Sequence, residues 1–263
     1  MTSSNSRVSV CIPARQASTR FPGKPLAKLA GKPLIQHVYE SVQDVPHVGQ
    51  IMVVTDHEEI LQTVKNFGGE VCLVTEPCRT GTDRVAKISP QLSHDIVVNL
   101  QADEVLLHPG LLSDLIHPFL SAGVEIGTLK RKISQGEDRA NPSIVKVVTD
   151  QQGRALYFSR SAIPCWRDGI PLGMGHDCWM HLGIYIFQKT ALRQFSELPT
   201  GFLEDAEKLE QLRALEHSMS IMVWETTHES LRIDSPEDLV NAESFLCQKF
   251  KNRTSVPENI KKG

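Results

Sequence analysis

Between Pro13 and Pro25 the sequence reads P-A-R-Q-A-S-T-R-F-P-G-K-P, which sets Arg15, Arg20 and Lys24 beside two hydroxyls and a glycine. The segment follows the short β-branched run Val8 to Pro13. Open α/β sheets bind ligands beyond the carboxyl ends of their strands, so this loop stands where a ligand is met. Three cations and exposed backbone N–H groups suit a triphosphate, because hydrogen bonds to ionised groups are about twice as strong as neutral ones. A solvated basic loop has the same letters, and the segment alone leaves that reading open. Three familiar motifs are excluded. Pro25 follows Lys24 where a Walker loop needs Ser or Thr, no G-x-G-x-x-G occurs, and His57-Glu58-Glu59 lacks the second histidine of a zinc-protease helix.

A second group of residues suits a metal. The run Ile96 to Leu100 ends in N-L-Q-A-D-E, so Asp103 and Glu104 follow a strand toward the same crevice. Mg²⁺ takes one or two protein carboxylates and completes its shell with water and phosphate oxygens, so a second carboxylate can come from far along the chain. Asp234, in L-R-I-D-S-P-E-D-L, is a candidate because it follows the strand-like Leu231 to Ile233. It also precedes a helix, where an acid favours the helix dipole, and its letters alone fit that role better.

The elements that must position these groups follow from hydrophobic spacing. Leu34, Val38, Val42 and Val45 mark a helix, Ile51 to Thr55 a strand, and Ile60, Leu61, Val64 and Phe67 a second helical face. Val71 to Thr75 and Ile96 to Leu100 read as further buried strands, so the first half predicts a parallel sheet covered on both faces. From about Gly127 the pattern turns to strands with few helices, at Ile144 to Thr149, Ala155 to Ser159 and Leu182 to Phe187. A sheet extension or a small subdomain is expected there. Leu203 to Glu216 predicts one helix and Ile221 to Thr226 a strand. A final helix opens at Ser235-Pro236-Glu237-Asp238 with a Ser cap, Pro at its first position and early acids. The expectation is one domain over residues 1–250, divided into halves 8–126 and 127–250, with a frayed tail at 251–263.

Bulk properties narrow the class. With 263 residues, 40% hydrophobic and 22% charged, the chain suits an ordinary soluble globular protein of one large domain or two coupled ones, with a sufficient core. Its 28 Lys and Arg against 31 Asp and Glu give a net charge of -3, which argues against broad nucleic-acid binding. Six cysteines without a C-x-x-C pair read as reduced thiols. No apolar run approaches a membrane span or a signal-peptide core, so a soluble, unprocessed protein is expected.

Taken together the ordered blocks resemble the 3-deoxy-manno-octulosonate cytidylyltransferases, or CMP-Kdo synthetases. The resemblance runs from about Val8 to Leu246. Beyond Pro13 to Pro25 it includes V-V-T-D at Val53 to Asp56, T-G-T-D-R at Thr80 to Arg84 and Q-A-D-E at Gln101 to Glu104. It continues with A-L-Y-F-S-R-S-A-I-P at Ala155 to Pro164, H-L-G-I-Y at His181 to Tyr185, L-E-Q-L-R at Leu209 to Arg213 and I-D-S-P-E-D-L.

The resemblance implies a Rossmann-like, glycosyltransferase-A-like α/β fold, with a mostly parallel central sheet and a smaller β-rich dimerisation subdomain. It implies Mg²⁺-dependent transfer of CMP from CTP to the acidic sugar Kdo, releasing pyrophosphate, by a cytoplasmic homodimer serving lipopolysaccharide synthesis. Pro13, Ala14, Arg15, Lys24, Thr80, Gly81, Thr82, Arg84, Gln101 and Asp103 would hold the nucleotide. Asp103 and Asp234 would share the metal. Gln101, Arg160, His181, Tyr185, Glu210 and Gln211 would line the sugar pocket, with Arg160 facing the sugar carboxylate. Arg15, Lys24, Asp103 and Asp234 would form the catalytic set.

This chain departs from the family at Ala102 and Val105, usually Gly and Pro, and at Thr80 and Asp83, usually Ser and Glu. If position 102 requires a left-handed backbone, its alanine costs about 1–2 kcal/mol. Val105 loses a proline constraint beside the metal carboxylates. Two alternatives follow: a cytidylyltransferase for a related sugar such as 8-amino-Kdo, and a catalytically weak nucleotide-binding scaffold.

Overall fold

The computed structural model describes residues 7–16, 21–106, 108–133, 139–168 and 178–244; Arg20 and the tail 251–263 lie outside the described residues. Strand β1 (Val8–Ala14) is followed by the small hairpin β2 (Lys28–Leu29) and β3 (Lys32–Pro33), then by helix α1 (Leu34–Ser41). Next come β4 (Val48–Thr55), α2 (Glu58–Asn66), β5 (Val71–Leu73), α3 (Gly81–Ile88), β6 (Ile96–Asn99) and β7 (Glu104–Leu106). They lead to α4 (Gly110–Ala122), β8 (Ile126–Lys132), β9 (Lys146–Thr149), β10 (Ala155–Ser159), β11 (Trp179–Gln188) and α5 (Lys189–Glu197). The last described elements are α6 (Phe202–Glu207), α7 (Gln211–Glu216), β12 (Met222–Glu225), β13 (Ser230–Arg232) and a helix α8 over residues 236–244.

The main sheet runs β10-β9-β11-β6-β1-β4-β5, with β8 joined to β11 and β12. Its β6-β1-β4-β5 part is parallel, as continuous apolar strands alternating with helices require. The second half extends this sheet through β11, which is antiparallel to β6, β8 and β9. Pro13 is tolerated in the central strand because the β1–β6 ladder already ends at Cys11. Alternate residues of β1 serve opposite faces. Val10 and Ile12 pack into the core with Leu34 of α1, Ile60 of α2 and Leu111 of α4. Cys11 packs into the other core with Val85 of α3, Leu192 of α5 and Leu212 of α7.

Several expectations are corrected. Strand β8 and helices α3, α4 and α5 were not read from the spacing. Helix α4 carries Pro118 in its interior and has a broad apolar face, which blurs its period. The helix expected over Leu203 to Glu216 is two helices, because Lys208 takes a left-handed conformation at φ 52° and ψ 47°. That break turns Leu209, Glu210 and Gln211 toward the ligand crevice instead of spacing them around one cylinder. The final helix opens as expected: Ser235 Oγ accepts from Asp238 N at 3.2 Å, and Asp238 Oδ2 accepts from Ser235 N at 2.8 Å.

Candidate active site

The P-G-K-P turn places the first cation. Gly23 adopts φ 72°, a left-handed conformation that glycine takes without strain, and starts the single 3-10 turn Lys24–Leu26. Lys24 is thereby brought over the sheet, where Nζ donates to Asp103 Oδ2 at 2.5 Å and to Asp234 Oδ1 at 3.4 Å. Arg15 emerges solvent-exposed immediately after β1 and lines the same crevice.

Asp103 and Asp234 meet through a ladder of two three-residue strands. Antiparallel β7 and β13 pair Glu104 with Arg232, and Ile233 N donates to Asp103 O at 3.0 Å. The residue after Ile233 is Asp234, so the ladder sets the two carboxylates together. Asp234 is more than a helix-entry acid, since it also meets Arg232 Nε through Oδ2 at 3.1 Å. Val105, opposite Leu231 and 6% exposed, gives the segment the definition that a proline would otherwise supply. Ala102 is not strained: among the described residues, Ala30, His47, Lys208 and Ser218 are the non-glycine positions with positive φ, and Ala102 packs in the core. Glu104 turns away from the carboxylate pair to accept from the Ser230 hydroxyl. Burial pushes its carboxyl up to about 7, with the neighbouring Asp103 charge adding to that and the Ser230 bond opposing it.

The two carboxylates can hold a divalent cation, because a cationic ammonium already lies against both of them. Among the described residues no group of three or more His, Cys, Asp or Glu side chains is arranged to hold a metal. A pair of carboxylates fits Mg²⁺, whose remaining positions are filled by water and phosphate, better than a metal needing an all-protein cage.

The T-G-T-D-R block forms the N-terminus of α3. Thr80 caps it by accepting from Asp83 N at 3.1 Å, leaving the first-turn N–H groups at the crevice wall. Gly81 is favoured there by close approach, since a Cβ would stand 3.0 Å from the Pro13 ring, tighter than ordinary van der Waals contact. Pro13 and Ala14, also expected on the nucleotide, are buried at the end of β1 and are not among the residues that line the cleft. Thr82 and Arg84, likewise expected on the nucleotide, do not face the crevice either. Thr82 is fully buried, accepting from Asn99 Nδ2 at 2.8 Å and donating to Glu210. Arg84, one turn into α3, donates to Asp56 Oδ2 at 2.8 Å and to Val74 O at 2.6 Å, so it braces the V-V-T-D strand end.

Opposite this wall lies the expected sugar side. A cleft of about 580 Å³ is lined by Arg15, Thr80, Gly81, Gln101 and Asp103 together with Arg160, His181, Tyr185, Glu210 and Gln211. His181 is buried, and Thr128 Oγ1 lies 2.9 Å from its Nε2. The single Thr128 hydrogen goes to a backbone carbonyl, Ile184 O at 2.7 Å or Leu182 O at 3.1 Å. The hydroxyl therefore accepts from His181 Nε2–H, and Nδ1 is left as an acceptor. Burial, helped by the Arg232 charge, lowers the His181 pKa to about 3, so the ring is neutral. Burial likewise raises the Tyr185 and Glu210 pKa values. Gln211 is 4% exposed and its Nε2 has no hydrogen-bond partner among the described residues, which makes it a candidate donor to a ligand. Arg160 lines the cleft with its guanidinium bonded to Glu207 O at 2.8 Å, Pro142 O at 2.9 Å and Lys208 O at 3.4 Å.

Sequence reasoning missed the ion network that joins the two walls. Arg213 is fully buried and donates to Asp83 Oδ1 at 3.1 Å and to Glu204 Oε2 at 2.7 Å. Arg79 reaches Asp83 Oδ2 at 3.0 Å and the carbonyls of Ser196 and Leu198. Asp83, inside T-G-T-D-R, is thus the hinge point between α3 and the α6–α7 pair. Arg232 was missed as well, because it lies just outside I-D-S-P-E-D-L.

Known proteins resemble this chain in sequence and fold. A family profile described as cytidylyltransferase matches residues 9–221. A 3-deoxy-manno-octulosonate cytidylyltransferase of Geobacter sulfurreducens is 45% identical over 88% of this chain and 96% of its own length. One of Thermodesulfovibrio yellowstonii is 44% identical over 91% of this chain and 98% of its own. The solved structure of CMP:2-keto-3-deoxy-manno-octonic acid synthetase complexed with CTP matches with a TM-score of 0.85 at 36% identity, covering 93% of this chain and 100% of that one. A putative glucose-1-phosphate thymidylyltransferase of Bacillus anthracis, at 13% identity and a TM-score of 0.64 over 90% of this chain and 94% of its own, shares the fold alone. With a profile spanning most of its length and relatives matched nearly end to end, the chain belongs to the 3-deoxy-manno-octulosonate cytidylyltransferase family.

Proposed function

We propose that the cleft transfers CMP from CTP to 3-deoxy-manno-octulosonate, with release of pyrophosphate. The observation that carries this reading is the joining of two walls in one cleft. A helix N-terminus and basic groups suited to a nucleotide triphosphate face a wall of hydroxyl-recognising groups, with the carboxylate pair between them.

The α3 N-terminus, Thr80, Gly81 and Gln101 hold the nucleotide, while Arg15 and Lys24 meet its phosphates. On substrate binding Lys24 exchanges carboxylate oxygens for those of the departing pyrophosphate, where its charge favours the leaving group. Asp103 and Asp234 are the carboxylates that hold Mg²⁺, which when bound supplies Lewis-acid neutralisation of charge on the phosphates. His181 Nδ1 accepts from a sugar hydroxyl and Gln211 Nε2 donates to a sugar oxygen; with Tyr185 and Glu210 they fix the sugar so that its anomeric hydroxyl lies in line with the α-phosphorus. The bond from that hydroxyl oxygen to phosphorus forms, its proton passing to solvent, as the bond to the bridging oxygen of pyrophosphate breaks. No nucleophilic side chain is needed. The reading includes a cytoplasmic homodimer built through residues after Gly127, where Leu156 on the terminal strand β10 is 62% exposed.

The test is incubation with CTP, Mg²⁺ and either Kdo or 8-amino-Kdo, with the product identified by mass. CMP-Kdo is expected. Nucleotide binding without turnover of either sugar contradicts the reading.

A further inference from the structure

We propose that Arg232 is a substrate-binding residue that grips the carboxylate of the acid sugar beside the reacting hydroxyl; this rests on the cytidylyltransferase reading above. The chemistry of the sugar sets the requirement. A 2-keto acid sugar closes its ring at C2, which then bears both the carboxylate and the hydroxyl that attacks phosphorus. The cation that holds this carboxylate must therefore stand next to the metal-binding carboxylates, not deep in the sugar pocket.

Arg232 stands there. It is the last residue of β13, opposite Glu104, and its Nε lies 3.1 Å from Asp234 Oδ2. Its side chain is 50% exposed and lines the cleft. Neither Nη1 nor Nη2 donates to any described residue, so the outer edge of the fork is open. Arg232 shares the cleft lining with Asp103, Glu104 and His181, and its charge is felt by Asp234, Asp103, Glu104 and Asp238 as well as by the His181 ring.

Three other cations that line the cleft are committed. Arg160 is spread over three backbone carbonyls. Arg79 is spent on Asp83, Ser196 O and Leu198 O, and Lys208 on Asp205 at the rim. Lys24 and Arg15 leave from the end of β1 and its following turn, on the phosphate side. A guanidinium matches a carboxylate with two parallel hydrogen bonds, and one anchored by Asp234 loses little freedom in doing so. Arg232 thus ties sugar placement to the same aspartate that holds the metal.

The experiment compares wild type, Arg232→Met and Arg232→Lys in steady-state assays with CTP, using Kdo and its C1 carboxamide. Loss of a charge-assisted bidentate contact raises KM for Kdo about thirty-fold in Arg232→Met, while KM for CTP stays within about two-fold. Wild type prefers Kdo to the carboxamide by a similar factor, Arg232→Met shows no preference, and Arg232→Lys recovers part of it. A rise in KM for CTP instead, unchanged constants, or a retained carboxylate preference in Arg232→Met each overturns the proposal. Failure of the wild type to turn over Kdo at all is a separate result, visible without any variant, and overturns the underlying reading.

Discussion

His181 offers a test of the sugar wall that does not depend on turnover. Its folded-state pKa is lowered to about 3, first by burial and then by the Arg232 charge, whereas an unfolded imidazole titrates near about 6.5. Between those values the unfolded chain binds a proton that the folded chain refuses. Stability therefore rises with pH across this window: the contribution is fully present above about pH 6.5 and is lost as pH falls toward about 3. From pH 7 to pH 5 the residue alone removes about 2 kcal/mol, at a limiting slope of about 1.4 kcal/mol per pH unit. His181→Asn deletes the titration. It also loses the edge contact with Phe158, whose ring centroid lies 4.8 Å away, so the variant is less stable at every pH. The diagnostic quantity is the slope. Urea unfolding of both proteins at pH 7 and pH 5 is expected to show the wild type losing about 2 kcal/mol more than His181→Asn. Equal losses in the two proteins would refute the argument that the ring is buried neutral.

Arg213→Met leaves Asp83 and Glu204 buried without their shared cation, and is expected to cost about 3–5 kcal/mol in unfolding free energy, measured by denaturant titration. Ala102→Gly removes a core methyl and adds chain entropy without relieving any left-handed strain; it is expected to lower stability by about 1 kcal/mol with no gain in kcat.

The parallel half of the fold was legible where its strands are continuous apolar runs and where α1 and α2 have clear faces, while α3 and α4 did not show in the spacing. Asp103 was legible for the same reason, as it closes the strand-like run that ends at Leu100. Asp234 was ambiguous because its meeting with Asp103 depends on two three-residue strands, too short to show a period. The break at Lys208 was hidden because lysine rarely adopts a left-handed backbone, and the surrounding Leu, Ala and Glu favour unbroken helix. Thr82 and Arg84 share a motif with Thr80 and Gly81, but on a helix only the first turn faces the crevice. The Arg213–Asp83 pair and the Arg79 bonds to Ser196 O and Leu198 O were unreadable because their partners come from distant elements.

The central claim is that the carboxylate pair at the ends of β7 and β13 drives nucleotidyl transfer. The most direct measurement is pyrophosphate release from CTP and Kdo, followed against Mg²⁺ concentration for wild type and Asp103→Asn. Wild-type release that requires Mg²⁺, with a fall of at least about a thousand-fold in Asp103→Asn despite an unchanged unfolding transition, is the predicted result. Release that persists in Asp103→Asn, or that proceeds equally in the absence of a divalent cation, would contradict the account.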